Sequence, residues 1–208
     1  MDVLAWGDSR VLVLPVIRGL VPEGERVRAA VEESRPEALA LTVGREDLDG
    51  LLAYDGAEHP PANWEEEVYV AGMAQWGVVR KPPPCFVEGI RAAKAQGIAV
   101  RALDFNDEDY TEQYISCIGT LDLLFHTRLE KKVREHRWAA ESPEEFVLEF
   151  DRLVNDPEGF VKLERARERH IAKRIAKLAG KHRSLLAVVE YERAPGVRAL
   201  LDDYRPTY

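Results

Sequence analysis

The sequence lacks most of the features that assign a chain to a secreted, membrane or disulfide-stabilised class. It has two cysteines, Cys85 and Cys117, in 208 residues, too few for a disulfide framework or a zinc-finger-like site. No apolar run approaches the roughly 20 residues that span a bilayer, and the N-terminus MDVLAWGDSR has no signal-peptide pattern. These absences predict a cytoplasmic protein without a membrane partner.

Basic residues are fewer than acidic residues. There are 29 Lys and Arg against 37 Asp and Glu, which gives a net charge of -8, and an acidic chain repels nucleic acid unless it segregates a basic patch. The one candidate patch, residues 162–183, interleaves its basic residues with Glu164 and Glu168. That alternation indicates a solvated helix face, so we expect no nucleic-acid partner.

Motifs for metal or nucleophilic chemistry are absent. The sequence contains no HExxH, no glycine-rich phosphate loop and no GxSxG elbow. His126 and His136 are ten residues apart, which on one continuous helix places them about 15 Å apart. Cys85 follows three prolines without a local base, which favours packing over nucleophilic attack. We therefore expect no metal site and no cofactor.

Apolar residues make up 46 % of the chain and are arranged as alternating strands and helices. A strand at 12–16, a helix at 23–34 and a strand at 38–43 form a βαβ unit with parallel strands. Pro15 requires the first strand to end there or to lie at a sheet edge. The remaining expected elements are a polar segment at 50–65, helices at 64–75, 86–96 and 197–204, and strands at 98–103 and 184–190.

Residues 107–181 have helical periodicity almost throughout. Tyr114, Ile118, Leu121 and Phe125 fall on one stripe, and Ser142 before a proline predicts a helix start. The two chain ends share a pattern of apolar strand, arginine turn and short helix. The sequence thus predicts one α/β domain over 1–208: a mainly parallel central sheet from two half-domains, flanking helices and a helical insertion at about 110–180.

Charged residues follow the predicted strands, at the edge where parallel sheets bind ligands. The residues at these positions are Arg18, Thr42, Asp104 and 190–193. Guanidinium groups bind carboxylate or phosphate with two parallel hydrogen bonds, so an anion pocket is one interpretation. A second interpretation is that neighbouring carboxylates neutralise the arginines, for example Asp104 with Arg193. A third is that these residues are charged because loops are exposed to solvent.

Several segments of the chain, taken in order, resemble motifs of the TraB/PrgY pheromone-shutdown family, which belongs with the Tiki proteases and erythromycin esterases. Members open with a strand, GTAHVS, a helix and PDVVAVEL, where this chain has PVIRGL, a helix and PEALALTV. The family's PGAEM, helix and LIDRD correspond to PPPCF, IRAAKAQG and ALDFND. Its ERDEYMA and VVGAGHVPGI correspond to ARERHIA and VVEYERAPGV. Order and spacing agree from about Leu12 to Leu201.

The chain departs from the family at the positions that carry its chemistry. The first and last family histidines fall on Arg18 and Arg193, and two family glutamates fall on Thr42 and Cys85. An arginine stays protonated near neutral pH, so it is neither a metal ligand nor a general base. The family's hydrolytic mechanism should not operate here in its usual form.

Other positions either match the family or acquire charge. The matching residues are Asp104, Arg167, Glu168 in place of an aspartate, Pro195 and Gly196. Two flexible glycines of the last family motif correspond to Glu190 and Glu192. The resemblance therefore implies a conserved fold whose cleft has changed electrostatics.

Three functions follow from the resemblance. The first is a catalytically divergent or inactive TraB-like domain that binds a small anionic molecule or peptide through Arg18 and Arg193. The second is an active hydrolase or peptidase with a rebuilt carboxylate site, which is the alternative that admits a metal. The third is a non-enzymatic module that forms a homodimer through residues 110–180. The candidate ligand-binding residues are Arg18, Thr42, Asp104, Arg167, Glu168, Glu190, Glu192 and Arg193.

Overall fold

The computed structural model describes residues 2–204. The tail at 205–208, which we expected to fray, lies outside the described residues. The strands are β1 (Asp2–Trp6), β2 (Ser9–Val16), β3 (Ala38–Leu41), β4 (Ala99–Ala102) and β5 (Ser184–Glu190). The helices are α1 (Val21–Ser34), α2 (Arg45–Leu52), α3 (Trp64–Met73), α4 (Pro84–Ala95), α5 (Asp107–Cys117), α6 (Thr120–Arg134), α7 (Pro143–Val154), α8 (Glu158–Ala179) and α9 (Ala194–Asp203).

Over residues 2–204 the strands form one five-stranded sheet in the order β1-β2-β5-β3-β4. All neighbours pair in parallel except β1, which is antiparallel to β2. The predicted α/β class with a mainly parallel sheet is therefore confirmed. β5, from the C-terminal part of the chain, lies between the two strands of the opening βαβ unit.

The antiparallel edge strand β1 was missed by the sequence analysis. It joins β2 through a two-residue loop in which Gly7 has a φ of 59°, a conformation that glycine adopts without steric cost. Pairing with β1 extends along β2 as far as Val13. Pro15 lies beyond that point, opposite Val189 of β5. The proline is tolerated in an inner strand because its missing N–H falls where the neighbouring edge strand has ended.

Helices cover both faces of the sheet. Alternate strand residues point to opposite faces, and one set packs against α8 and α9, where Ile171, Ile175 and Val197 are fully buried. The other set packs against α1 and α4, where Val27, Val31 and Phe86 lie in the core. The result is a three-layer α/β/α arrangement that leaves the carboxyl ends of the strands open to the loops.

The predicted helical insertion has two different parts. Helix α8 is a layer of the main fold, because it contacts β2, β5 and α9. Helices α6 and α7 instead pack with α3 around a separate apolar cluster that includes Met73, Leu129, Val133, Phe146 and Phe150. This second cluster forms a wall beside the carboxyl edge of the sheet. Among residues 2–204, no helix has both the length and the apolar composition needed to cross a bilayer.

The structure differs from three local expectations. The stripe of Tyr114, Ile118, Leu121 and Phe125 does not exist as one helix face, because the chain breaks at Ile118 between α5 and α6. Likewise α6 ends at Arg134, so His136 does not continue the helix that carries His126. The segment after β3, taken as polar connection from residue 50, begins with helix α2. After Ile118, the N–H of Gly119 donates to Asp122 Oδ2 at 2.9 Å, a capping contact that apolar periodicity does not encode.

Candidate functional site

A cleft of about 1130 Å³ opens at the carboxyl edge of the sheet. It is bordered by the loops after β2, β3 and β4 and by the segment 59–62 and Lys81. A smaller pocket of about 330 Å³ lies against α7 and α8 and shares Arg18, Arg167 and Glu190 with the cleft. The predicted edge is therefore a real concavity.

Arg18 lines both the cleft and the smaller pocket. It follows β2, and its side chain remains 45 % exposed while its Nε lies 2.9 Å from Glu190 Oε1. Its Nη2 is 3.6 Å from Glu192 Oε1, and its backbone carbonyl accepts a hydrogen bond from the Tyr69 hydroxyl at 3.0 Å. The carboxylate of Glu190 raises the pKa of Arg18 further above its ordinary value. The guanidinium is thus held as a cation between two glutamates.

Arg167 forms a second centre of ion pairing, on α8. Its Nε and Nη2 donate to Asp104 Oδ2 at 3.0 and 2.6 Å, and its Nη1 donates to Glu164 at 2.9 Å. Nη2 also lies 3.8 Å from Glu190 Oε2. Burial alone would lower the pKa of Arg167, but the carboxylates of Glu164 and Asp104 raise it well above its ordinary value. This arginine therefore anchors α8 to the ends of β4 and β5.

Arg193, the residue before α9, is the most enclosed of the three arginines. Its Nη2 pairs with Asp151 and lies 2.9 Å from Glu164 Oε2. Glu164 thereby bridges Arg167 and Arg193, and the pair of Arg193 with Asp104 considered from the sequence is not formed within residues 2–204. Arg18 and Arg193 both border the smaller pocket, and each is already paired with carboxylates of its own.

Thr42 and Glu190 form the floor of the cleft. The backbone N–H of Thr42 donates to the Val188 carbonyl at 3.2 Å, and its hydroxyl accepts from the backbone N–H of Glu190 at 3.3 Å. Both residues are buried. Thr42 thus ties the end of β3 to the end of β5 and fixes the position from which Glu190 projects.

Glu168 has a different environment from the other predicted site residues. Its carboxylate packs directly against Gly196 in the first turn of α9, and its nearest cation is Arg193, at 4.0 Å. Burial raises the pKa of Glu168 above its ordinary value. Its position indicates that it fixes the packing of α9 on α8.

Carboxylates outnumber cations throughout this network. Three arginines are shared among Asp104, Asp151, Glu164, Glu168, Glu190 and Glu192. Burial, and then the neighbouring charge of Glu190, raise the pKa of Glu192 to about 7. A proton on Glu192 near neutral pH offsets part of the excess negative charge. The network remains acidic even so.

The sequence analysis missed Tyr69, Asp151 and Glu164, which contact the arginines of the site. It also missed five acidic residues that line the cleft: Glu46, Asp47, Asp55, Glu66 and Asp107. Glu164 carried a usable signal, because it precedes Arg167 by three residues on a predicted helix and such pairs face one another. Asp151 lies 42 residues from its partner Arg193, and no local pattern connects them. Tyr69 belongs to α3, which packs over the cleft only through the second apolar cluster.

The remaining metal- and thiol-type candidates do not form a centre. Within residues 2–204, no group of three or more His, Cys, Asp or Glu side chains is arranged to hold a metal ion. Cys85 is fully buried, and burial raises its pKa to about 12. Its thiol is therefore protonated at neutral pH, and the side chain packs in the core from the first turn of α4.

Comparison with known proteins provides no identification. No protein-family model matches the chain, and no curated protein matches it.

Proposed function

We propose that this chain is a catalytically divergent TraB-like domain that binds a small ligand with a positively charged group in the cleft at the carboxyl edge of its sheet. Two features of the fold support the family part of the proposal. β2 and β5 are parallel neighbours, and each leads through an arginine-bearing turn into a helix, α1 or α9. This repeat agrees with two half-domains that meet in one sheet.

The charge of the cleft supports a cationic ligand, and this observation carries the proposal. The lining includes Arg18, Lys81 and Arg167 against seven carboxylates. Those carboxylates belong to Glu46, Asp47, Asp55, Glu66, Asp104, Asp107 and Glu190. A concave surface with one sign of charge in excess concentrates ligands of the opposite sign. Ammonium or guanidinium groups are therefore favoured there.

An anionic ligand, which the sequence favoured, would face competition for every arginine. Arg18 is paired with Glu190 and Glu192, and Arg193 is paired with Asp151 and Glu164. An incoming carboxylate would displace one of these and leave it without a cation in a partly buried site, which is costly. The ion pairs thus argue for reversing the charge expected of the ligand.

Two probes with the same carbon number and opposite charge test the proposal. We expect 1,5-diaminopentane to give saturable heat in isothermal titration calorimetry, whereas glutarate at the same ionic strength gives none. Backbone NMR shifts should be confined to the residues around Thr42, Asp104 and Glu190. Tighter binding of glutarate, or no binding of the diamine at millimolar concentration, would contradict the proposed ligand charge.

One observation favours a second candidate function, general acid–base hydrolysis. Glu192 lines the smaller pocket together with Glu190 and with His126 of α6. Its pKa of about 7 suits proton transfer at neutral pH. In such a reaction Glu192 would accept a proton as water attacks the substrate carbonyl, and would return that proton to the leaving group.

The pH profile of the protein separates the two functions. Hydrolysis of ester or peptide substrates should be lost in Glu192→Gln and should follow one ionisation near pH 7 in the unaltered protein. A Glu33→Gln variant, altered on the exposed face of α1, serves as the control. Diamine binding without hydrolysis supports the binding domain.

A further inference from the structure

An apolar surface remains uncovered where α5 meets α6. Ile115 is 73 % exposed and Leu121 is 70 % exposed, and Leu123, Leu124 and Phe125 are also exposed. We refer to these five residues as the α5–α6 patch. Single exposed hydrophobic residues are ordinary, but contiguous apolar patches mark interaction surfaces.

Part of the patch lies on the opposite side of α6 from the face that packs on the protein. Leu129 and Val133 are buried in the second apolar cluster, and the ring of His126 stacks on Phe160 with centroids 4.9 Å apart. His126, Leu129 and Val133 recur at helical spacing on one face of α6. Leu121 and Leu124 are rotated away from it, so the fold leaves them in solvent.

Exposed charged residues that precede and follow the patch along the chain have opposite signs. Glu108 and Glu112 precede Ile115 by seven and three residues on α5, and share its face. Arg128 follows Leu121 by seven residues on α6. All three charged side chains are exposed, and within the described part of the chain none of them forms an ion pair. Lys131, 81 % exposed at its side chain, lies one turn further along α6 and is 3.9 Å from Glu135 in an exposed ion pair.

We propose that the α5–α6 patch is the interface of a homodimer, in which a two-fold axis passes through the apolar centre. A two-fold interface brings the same surface of both copies together. Rotation about such an axis places the acidic side of one copy against the basic side of the other at both ends. Self-complementary charge around an apolar centre therefore identifies a second copy of this chain as the partner. The inference does not depend on the ligand proposed above.

Dimerisation would also brace the smaller pocket. Tyr110 and Tyr114 of α5 and His126 of α6 line that pocket, while the patch occupies the outer surface of the same two helices. Restraining these helices would fix one wall of that pocket. Loss of the dimer should leave the fold of each chain intact.

Sedimentation velocity of the full chain from 1 to 100 µM tests the interface. We expect a species of twice the 23.5 kDa chain mass that becomes monomeric in Leu121→Glu/Leu124→Glu. The control is Val78→Glu, since Val78 is 62 % exposed outside the patch and its change should leave the dimer intact. Circular dichroism of each variant verifies that it is folded.

Charge reversal tests the two-fold arrangement. Glu108→Lys/Glu112→Lys makes both sides basic, and Arg128→Glu/Lys131→Glu makes both sides acidic. Each variant alone should raise the dimer dissociation constant at least tenfold, and an equimolar mixture of the two should form a heterodimer. A monomeric unaltered protein at 100 µM, a dimer that survives Leu121→Glu/Leu124→Glu, or a mixture that fails to associate would overturn the proposal.

Discussion

Arg167 donates two hydrogen bonds to one oxygen of Asp104, from Nε at 3.0 Å and from Nη2 at 2.6 Å. The two residues are 63 positions apart. Their contact fixes helix α8 to the end of strand β4, although helices α5, α6 and α7 separate the two elements in the sequence. The same guanidinium contacts Glu164 and Glu190. The ion-pair network therefore has a structural centre as well as an exposed mouth at Arg18.

Replacing Arg167 tests that structural role. Arg167→Ala should lower the free energy of unfolding by about 3 to 5 kcal/mol, because it leaves buried carboxylates without their cation. Urea unfolding followed by circular dichroism gives the value. Arg169→Ala, on the exposed face of the same helix, should change it by less than about 0.5 kcal/mol. Equal effects of the two changes would show that the pairing contributes no stability.

Glu192 makes stability depend on pH. Its pKa is raised in the folded protein to about 7, so the folded state binds this proton more tightly than the unfolded chain does. The resulting stability is complete below the ordinary carboxyl pKa and is lost as the pH rises through 7. From pH 5 to 8 the unaltered protein should lose up to about 3 kcal/mol relative to Glu192→Gln.

Thermal or urea unfolding of both proteins across that pH range measures the difference. The same series with Glu33→Gln, whose side chain is exposed on α1, provides the background. A difference between Glu192→Gln and the unaltered protein that stays constant from pH 5 to 8 would show that Glu192 does not titrate there.

A Cβ at position 196 would clash with the carboxylate of Glu168, so a larger residue there requires that side chain to shift. Gly196→Ala should destabilise the protein by roughly 1 to 3 kcal/mol through overpacking. Adding Glu168→Ala should recover part of that loss, since the two residues are in contact and their effects are not additive. The control is Gly50→Ala in α2, where a Cβ meets nothing within 4 Å; that change should be neutral or slightly stabilising.

Much of the fold could be predicted because its signals are local. The strand Ser184–Glu190 matches the predicted bounds, and Ser142 caps α7 by accepting a hydrogen bond from the Glu145 N–H at 3.2 Å. β1 was missed because it is short and half exposed, with Leu4 and Trp6 as its buried residues. The position of β5 between β2 and β3 was beyond local reasoning, since strand order depends on packing between distant segments.

The sequence placed several charged residues at one edge of the sheet but did not predict how they pair. The rule that ligand residues follow parallel strands selected Arg18, Asp104 and Glu190, and the structure places all three around one cleft. Which carboxylate neutralises which arginine depends on tertiary contacts such as Arg193 with Asp151. Because those pairs determine the net charge available to a ligand, the cationic ligand that we propose differs from the anionic one expected from the sequence.

Calorimetric titration of Arg18→Ala with 1,5-diaminopentane tests the central claim most directly. Removing the exposed guanidinium frees Glu190 and Glu192, so diamine affinity should rise by roughly fivefold, which corresponds to about 1 kcal/mol, the upper end for a solvent-exposed ion pair. Weaker diamine binding in Arg18→Ala, together with loss of glutarate binding that the unaltered protein displays, would contradict a cation-selective cleft and would assign Arg18 to an anionic ligand.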